Sequence, residues 1–139
     1  LKNYVDLYEN VDDPAFLKKR DEFARWYEHP LDLPGRWYLQ AIRHIFKNNE
    51  FCKGDFMALG RKIGLHDITC PAYLLAGEGD DITPYQQVFE ADKRLGTPKD
   101  KIVKKLVPGG HIGLFMGTKT LKEAWPEVAK WIKEVSPGS

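Results

Sequence analysis

The runs Tyr73-Leu74-Leu75-Ala76-Gly77-Glu78-Gly79-Asp80-Asp81-Ile82-Thr83-Pro84 and Ile102-Val103-Lys104-Lys105-Leu106-Val107-Pro108-Gly109-Gly110-His111 decide the fold. Each begins as an apolar or β-branched stretch and ends in a glycine-containing turn that carries a titratable side chain. The unbroken apolar run from Tyr73 to Ala76 suits a strand buried on both faces. Pro71 stands just before it, where a strand tolerates proline. Thr83-Pro84-Tyr85-Gln86 has a capping-box pattern, so a helix is expected to about Leu95, closed by Gly96-Thr97-Pro98. A strand, a helix and a second strand in that order predict parallel pairing through a right-handed crossover.

Working outward, Thr120 and Glu123 open a last helix carrying Leu121, Val128, Trp131 and Ile132. Pro126 inside it predicts a kink or a fresh start. Upstream, Phe56 to Leu65 reads as a short edge strand between Gly54, Gly60 and Gly64. Tyr4 to Asn49 reads as helical. Asp13-Pro14 supplies an N-cap and a first helical residue, with Phe16, Phe23, Trp26 and Tyr27 following at helical spacing. A second helix starts near Asp32-Leu33-Pro34, with Tyr38, Ile42, Ile45 and Phe46 on one face, and the pattern breaks from Lys47 to Gly54. The fold class expected is therefore α/β: a helical cap segment over residues 1–55, laid over the strand ends, then an α/β portion over residues 56–139.

The bulk properties exclude several function classes. With 21 Lys and Arg against 20 Asp and Glu, the formal charge is +1, which argues against nucleic acid as a partner. Lys99, Lys101, Lys104 and Lys105 read as a solvated loop and strand edge. No apolar run approaches the roughly 20 residues of a spanning helix. Cys52 and Cys70 are too few and too isolated for a disulfide framework, and a reducing, cytoplasmic compartment suits them. His29, His44 and His66 show no ligand spacing, so neither a metal nor a cofactor is called for. The chain starts at Leu1 without an initiator methionine or a signal-peptide pattern, as a chain cut from something longer does. Its Pro-Gly-Ser end is either natural or a remnant of cloning.

Asp80 and His111 are the candidate catalytic pair. Functional groups of open parallel sheets collect at the carboxyl ends of strands, and both residues fall there. A carboxylate that accepts from one ring nitrogen fixes the imidazole's tautomer and stabilises the imidazolium. The other nitrogen can then take a proton from a nucleophile. Taken alone, an Asp after a strand is usually a turn residue and a His usually a surface or core group; their order on successive strand ends favours chemistry. Asp81 competes with Asp80, but its place beside Thr83-Pro84 suits a cap of the following turn or a contact to the helical segment. Strand–Asp followed by strand–His is the second half of a Ser/Cys-His-Asp site on an α/β-hydrolase sheet. The nucleophile is missing: the only serines are Ser136 and Ser139, and neither cysteine stands in a nucleophile-elbow turn. Cys70 reads as a small core residue. Phe115 and Met116, close after His111, are candidates for an apolar acyl pocket or for ordinary packing.

G-E-G-D-D-I-T-P at 77–84 and G-G-H-I-G-L-F-M-G at 109–117 resemble the acid and histidine motifs of polyhydroxyalkanoate (poly-3-hydroxybutyrate) synthases and the related intracellular depolymerases. D-L-P-G-R-W-Y-L-Q at 32–40 is similar to a segment of their cap region. The resemblance covers Phe23 to Ile132. It implies acyl transfer on 3-hydroxyacyl esters or thioesters, with Asp80 orienting His111 as general base and with a cysteine (synthase) or serine (depolymerase) nucleophile upstream of Leu1. Contact with a polymer-granule surface through Phe16, Phe23, Trp26 and Tyr27 is one further expectation; ordinary amphipathic packing explains those residues equally. The alternatives are a non-catalytic assembly module, dimerising through an exposed sheet edge, and a pseudoenzyme fragment.

Overall fold

A computed structural model describes residues 2–136; Leu1, Ser139 and the Pro-Gly-Ser end lie outside them. The chain divides into two compact units, Leu1–Leu39 and Gln40–Ser139. The first holds helices α1 (Lys2–Glu9) and α2 (Pro14–Tyr27), and the boundary falls within α3 (Gly35–Ala41). At the start of α2 the Asp13 carboxylate accepts from the backbone N–H groups of Ala15 at 2.9 Å and Phe16 at 3.2 Å, satisfying two donors that a helix start leaves orphaned. Phe23 packs against Trp26 and Tyr27 at ring distances of 5.7 and 6.1 Å.

In the second unit a π-helical stretch, Ile42–Lys47, continues α3, and a short α4 (Glu50–Lys53) follows. Strands β1 (Phe56–Ala58) and β2 (Arg61–Ile63) then form an antiparallel hairpin, with Phe56 opposite Ile63 and Ala58 opposite Arg61. This corrects the single edge strand expected over Phe56 to Leu65. Leu59 and Gly60 both take positive φ, 51° and 78°, the primed-turn geometry that sends a strand straight back along itself. The hairpin pairs only with itself among the described strands.

Strands β3 (Ala72–Gly77) and β4 (Ile102–Val107) are parallel, in register from Ala72–Ile102 to Gly77–Val107. Between them, α5 spans Tyr85–Glu90, with a 3₁₀ turn at Ala91–Lys93. The expected capping box does not form. Pro84 holds the N-cap position without a side-chain bond, and the Thr83 hydroxyl donates to the Asp80 carboxylate, a charge-assisted bond, instead of accepting from a helix N–H. After β4 come α6 (Gly113–Met116), which the sequence did not suggest, and α7 (Thr118–Val135). Helix α7 runs continuously through Pro126 rather than restarting there. Its flanking residues Ala124 and Val128 are buried, and packing offsets the one backbone bond that proline removes.

Val107, Leu114 and Ala124 form the core, with Leu75 against them, and Trp131 of α7 meets Tyr73 at 5.3 Å. The expectation that β3 is buried on both faces holds only at its end: Ala76 and Gly77 are buried, while Tyr73 to Leu75 are half-buried. Among the described strands β3 has one neighbour, too few to enclose the whole run. Cys70, expected in the core, is exposed and Cys52 half-buried; the residue stands at the strand's entrance, where its carbonyl, not its thiol, is held.

The last rungs of the ladder extend into the loops. The Glu78 N–H donates to the Val107 carbonyl at 2.9 Å, and the Gly79 N–H to the Gly109 carbonyl at 3.0 Å. That approach needs glycine at 77, where a Cβ would stand 2.6 Å from the Gly109 oxygen, whereas at 79 it would stand 3.5 Å away. Backbone cannot yield as a flexible side chain does. Gly77→Ala is therefore expected to cost about 1–3 kcal/mol and Gly79→Ala less than about 0.5 kcal/mol. Amide exchange along β3 and β4 measures both, and equal protection in the two variants contradicts the close approach.

Candidate active site

Residues Asp80 and His111 meet at the carboxyl end of the parallel pair. His111 Nδ1 lies 2.9 Å from Asp80 Oδ2, in the side-by-side placement that their strands' common register imposes. Asp80, rather than Asp81, turns inward: it is buried, and Asp81 is exposed. Gly109, with φ of +120°, takes the backbone through a conformation that side-chain-bearing residues rarely adopt. The chain thereby turns from β4 to bring His111 back over Asp80.

The Asp80 carboxylate is 1 % exposed, and donors surround it. Oδ1 accepts from the backbone N–H groups of Ile82 at 3.0 Å and Thr83 at 2.8 Å; Oδ2 accepts from the Thr83 hydroxyl at 2.7 Å and faces His111. Desolvation is the largest single influence on this carboxyl and works to raise its pKa. The bonds from the Thr83 N–H, the Thr83 hydroxyl, His111 and the Ile82 N–H together outweigh it and hold the group well below the usual carboxylate range. Asp80 is thus a fixed anion. Thr83, which the sequence reading treated as a helix cap, proves to be its closest partner. The spacing Asp-x-x-Thr just after a strand was the available signal, since an Asx-type turn brings the third residue's N–H and side chain back to the carboxylate.

His111 is the accessible member, its side chain 34 % exposed. Among the described residues, Nε2 has no hydrogen-bond partner. Neither Cys52 nor Cys70, both free thiols, is hydrogen-bonded to it among the described residues. Phe115 and Met116 lie on α6, 59 % and 52 % exposed, with Phe115 leaning on Trp125 at 6.3 Å. The Trp125 indole N–H donates to the Leu114 carbonyl at 2.8 Å and so ties α6 to α7. No group of three or more His, Cys, Asp or Glu side chains among the described residues is placed to hold a metal ion, and no described helix is long and apolar enough to cross a membrane.

Residues 2–136 match the family described as PHB de-polymerase C-terminus. The chain belongs to this family. Among curated proteins it is similar to the poly(3-hydroxyalkanoate) polymerase subunit PhaC of Allochromatium vinosum, 31 % identical over 133 residues, which is 96 % of this chain and 37 % of that protein. It is similar to the subunit of the same name from Haloarcula marismortui, 27 % identical over 143 residues, covering 100 % of this chain and 30 % of that protein. The Synechocystis subunit is 26 % identical over 133 residues, 96 % of this chain and 35 % of that protein. The chain thus spans about a third of the length of the curated relatives it matches. No solved structure matches it.

Because the folded pKa of Asp80 lies below its ordinary value of 3.8, ionised Asp80 stabilises the fold above about pH 4, and that contribution is lost as pH falls below it. Asp80→Asn should therefore be less stable than the parent at neutral pH, with a gap that narrows under acid. Urea midpoints from pH 7 down to pH 3 test this; a gap that stays constant over the range contradicts it.

Proposed function

We propose that this chain supplies the acid and the base of a nucleophile–His–Asp acyl-transfer site of α/β-hydrolase type, acting on 3-hydroxyacyl esters or thioesters. The observation that carries the reading is the 2.9 Å contact between His111 Nδ1 and a buried carboxylate, with the opposite ring nitrogen unpartnered among the described residues. Membership of the PHB de-polymerase C-terminus family supports the substrate class. The relatives' name, poly(3-hydroxyalkanoate) polymerase subunit, favours polymer synthesis over hydrolysis.

In this scheme a thiol or hydroxyl from a segment outside these 139 residues gives its proton to His111 Nε2 as it attacks the acyl carbonyl. Asp80 stabilises the resulting imidazolium. His111 then returns the proton to the departing thiol or alcohol. The exposed Phe115 and Met116 offer apolar surface for the acyl chain beside the base. Residues 1–55 serve as the cap that limits water access, and the intact enzyme works in the cytoplasm at the surface of its polymer.

A second reading has one observation behind it: β3 and β4 pair only with each other among the described strands, and unpaired edges recruit other strands. On that reading the chain is an assembly module, and sedimentation shows a concentration-dependent dimer.

The test of the first reading is turnover of a 3-hydroxybutyryl thioester by the protein extended upstream of Leu1. His111→Ala should lower kcat by roughly 10³-fold or more, and Asp80→Asn by roughly 10²- to 10⁴-fold. The 139 residues alone should give no turnover. Turnover by them alone, abolished in His111→Ala, overturns the split of the site between segments.

A further inference from the structure

We propose that Thr83 is a positioning residue of the Asp80–His111 pair, its side-chain hydroxyl pinning the Asp80 carboxylate in the orientation that keeps the proton on Nδ1 of His111. The consequence for turnover rests on His111 acting as a base, as proposed above; the geometry does not.

A threonine hydroxyl has one proton to give and two lone pairs to offer. Thr83 Oγ1 stands 2.7 Å from Asp80 Oδ2 and 3.2 Å from His111 Nδ1. Asp80 is ionised and only accepts, so the hydroxyl proton lies toward Oδ2. What Thr83 turns to the imidazole is then a lone pair. His111 Nδ1 consequently faces two acceptors, Oδ2 at 2.9 Å and the hydroxyl oxygen at 3.2 Å. A bare nitrogen lone pair set against an anionic oxygen at that distance is repelled, so Nδ1 carries the hydrogen and shares it between the two oxygens. The lone pair is left on Nε2, the accessible side of the ring.

Thr83 also prevents the arrangement from relaxing. Its own N–H holds Oδ1 at 2.8 Å while its hydroxyl holds Oδ2. Both carboxylate oxygens are pinned by one residue, and the carboxylate plane cannot turn away from the imidazole. Nothing else among the described residues donates a side-chain bond to Oδ2 besides His111 itself. Valine at this position keeps the β-branched shape and the backbone N–H but removes both the proton and the lone pairs; serine loses the methyl but keeps the N–H, the proton and the lone pairs.

The experiment is nitrogen-15 NMR of the histidine rings in the full chain, with the His111 signals assigned by their loss in His111→Gln. In the parent and in Thr83→Ser, the neutral ring should be protonated at Nδ1 alone, with a slowly exchanging proton. In Thr83→Val, the ring should populate both tautomers, and the Nδ1 proton should exchange roughly tenfold faster or more. If Thr83→Val does not fold, Thr83→Ala carries the same expectation. A folded variant without the hydroxyl that keeps the parent's tautomer and exchange rate overturns the proposal. A change in stability shared by Thr83→Ser and Thr83→Val, with no change in tautomer, overturns it equally, since that is what a purely structural turn residue does. In the protein extended upstream, Thr83→Val should lower kcat on the thioester by roughly tenfold with KM unchanged, and serine should restore it. A shifted tautomer with an unchanged kcat upholds the positioning role and overturns the catalytic reading of His111, so the two failures are distinguishable.

Discussion

Two backbone hydrogen bonds, Glu78 N–H to the Val107 carbonyl and Gly79 N–H to the Gly109 carbonyl, carry the parallel ladder past the last residues of β3 and β4. Everything at the candidate site depends on them. Parallel strands alone bring two loops to the same end of a sheet, but leave those loops free to diverge. Here the loops remain laced together for two more residues on each side. The carboxylate of one and the imidazole of the other then leave the backbone from nearly the same level. The lacing requires bare backbone at Gly77, which explains why so tight a turn directly follows a strand.

A second histidine–carboxylate contact in the chain shows what the lacing adds. His44 Nδ1 lies 2.8 Å from Glu50, whose other oxygen accepts from Asn48 at 2.8 Å. The distance is as short as that at His111, yet all three residues come from one local stretch around the π-helical segment, and Glu50 is 19 % exposed. That pair is a part-buried contact joining neighbours in sequence, and its acid keeps some access to solvent. Asp80 and His111 come from separate strand ends, and the acid is sealed while the imidazole's far edge is open. Enclosure of one partner and exposure of the other is the asymmetry that proton transfer to an outside group requires, and a short distance by itself does not provide it.

Both parallel strands could be read from the sequence because one is a short unbroken apolar run and the other opens and closes on β-branched residues, with Pro and Gly marking their ends. Asp80 and His111 followed from their positions at those ends. Elements whose formation is decided by tertiary contact were not legible. The Leu59-Gly60 reversal makes a hairpin although leucine has no intrinsic preference for positive φ. Helix α6 spans four residues, too few for any periodicity to show, and it is tied down by the Trp125 indole. Pro126 suggested a break that packing of Ala124 and Val128 overrides. Thr83 misled for a similar reason: a hydroxyl before a helix can accept from a helix N–H or donate to a carboxylate, and only the folded chain shows that the buried Asp80 carboxylate is its partner. Cys70 reads as apolar by type, but its place is fixed by its carbonyl.

At the opposite end of the sheet, the buried Thr97 hydroxyl lies 2.6 Å from the Cys70 carbonyl and 3.1 Å from the Ile68 carbonyl, while Gly96 lets the His66 carbonyl approach where a Cβ would stand 2.1 Å from it. The crossover is stapled to the chain just before β3, far along the strands from the acid and the imidazole. Strand alignment is thus secured at the foot of the structure by groups that take no part in chemistry. Exposed positions near the head, such as Glu78, Asp81 and Ile82, are consequently free to vary in side chain without unseating the strands, and the specificity of such a scaffold can drift while its architecture stays put.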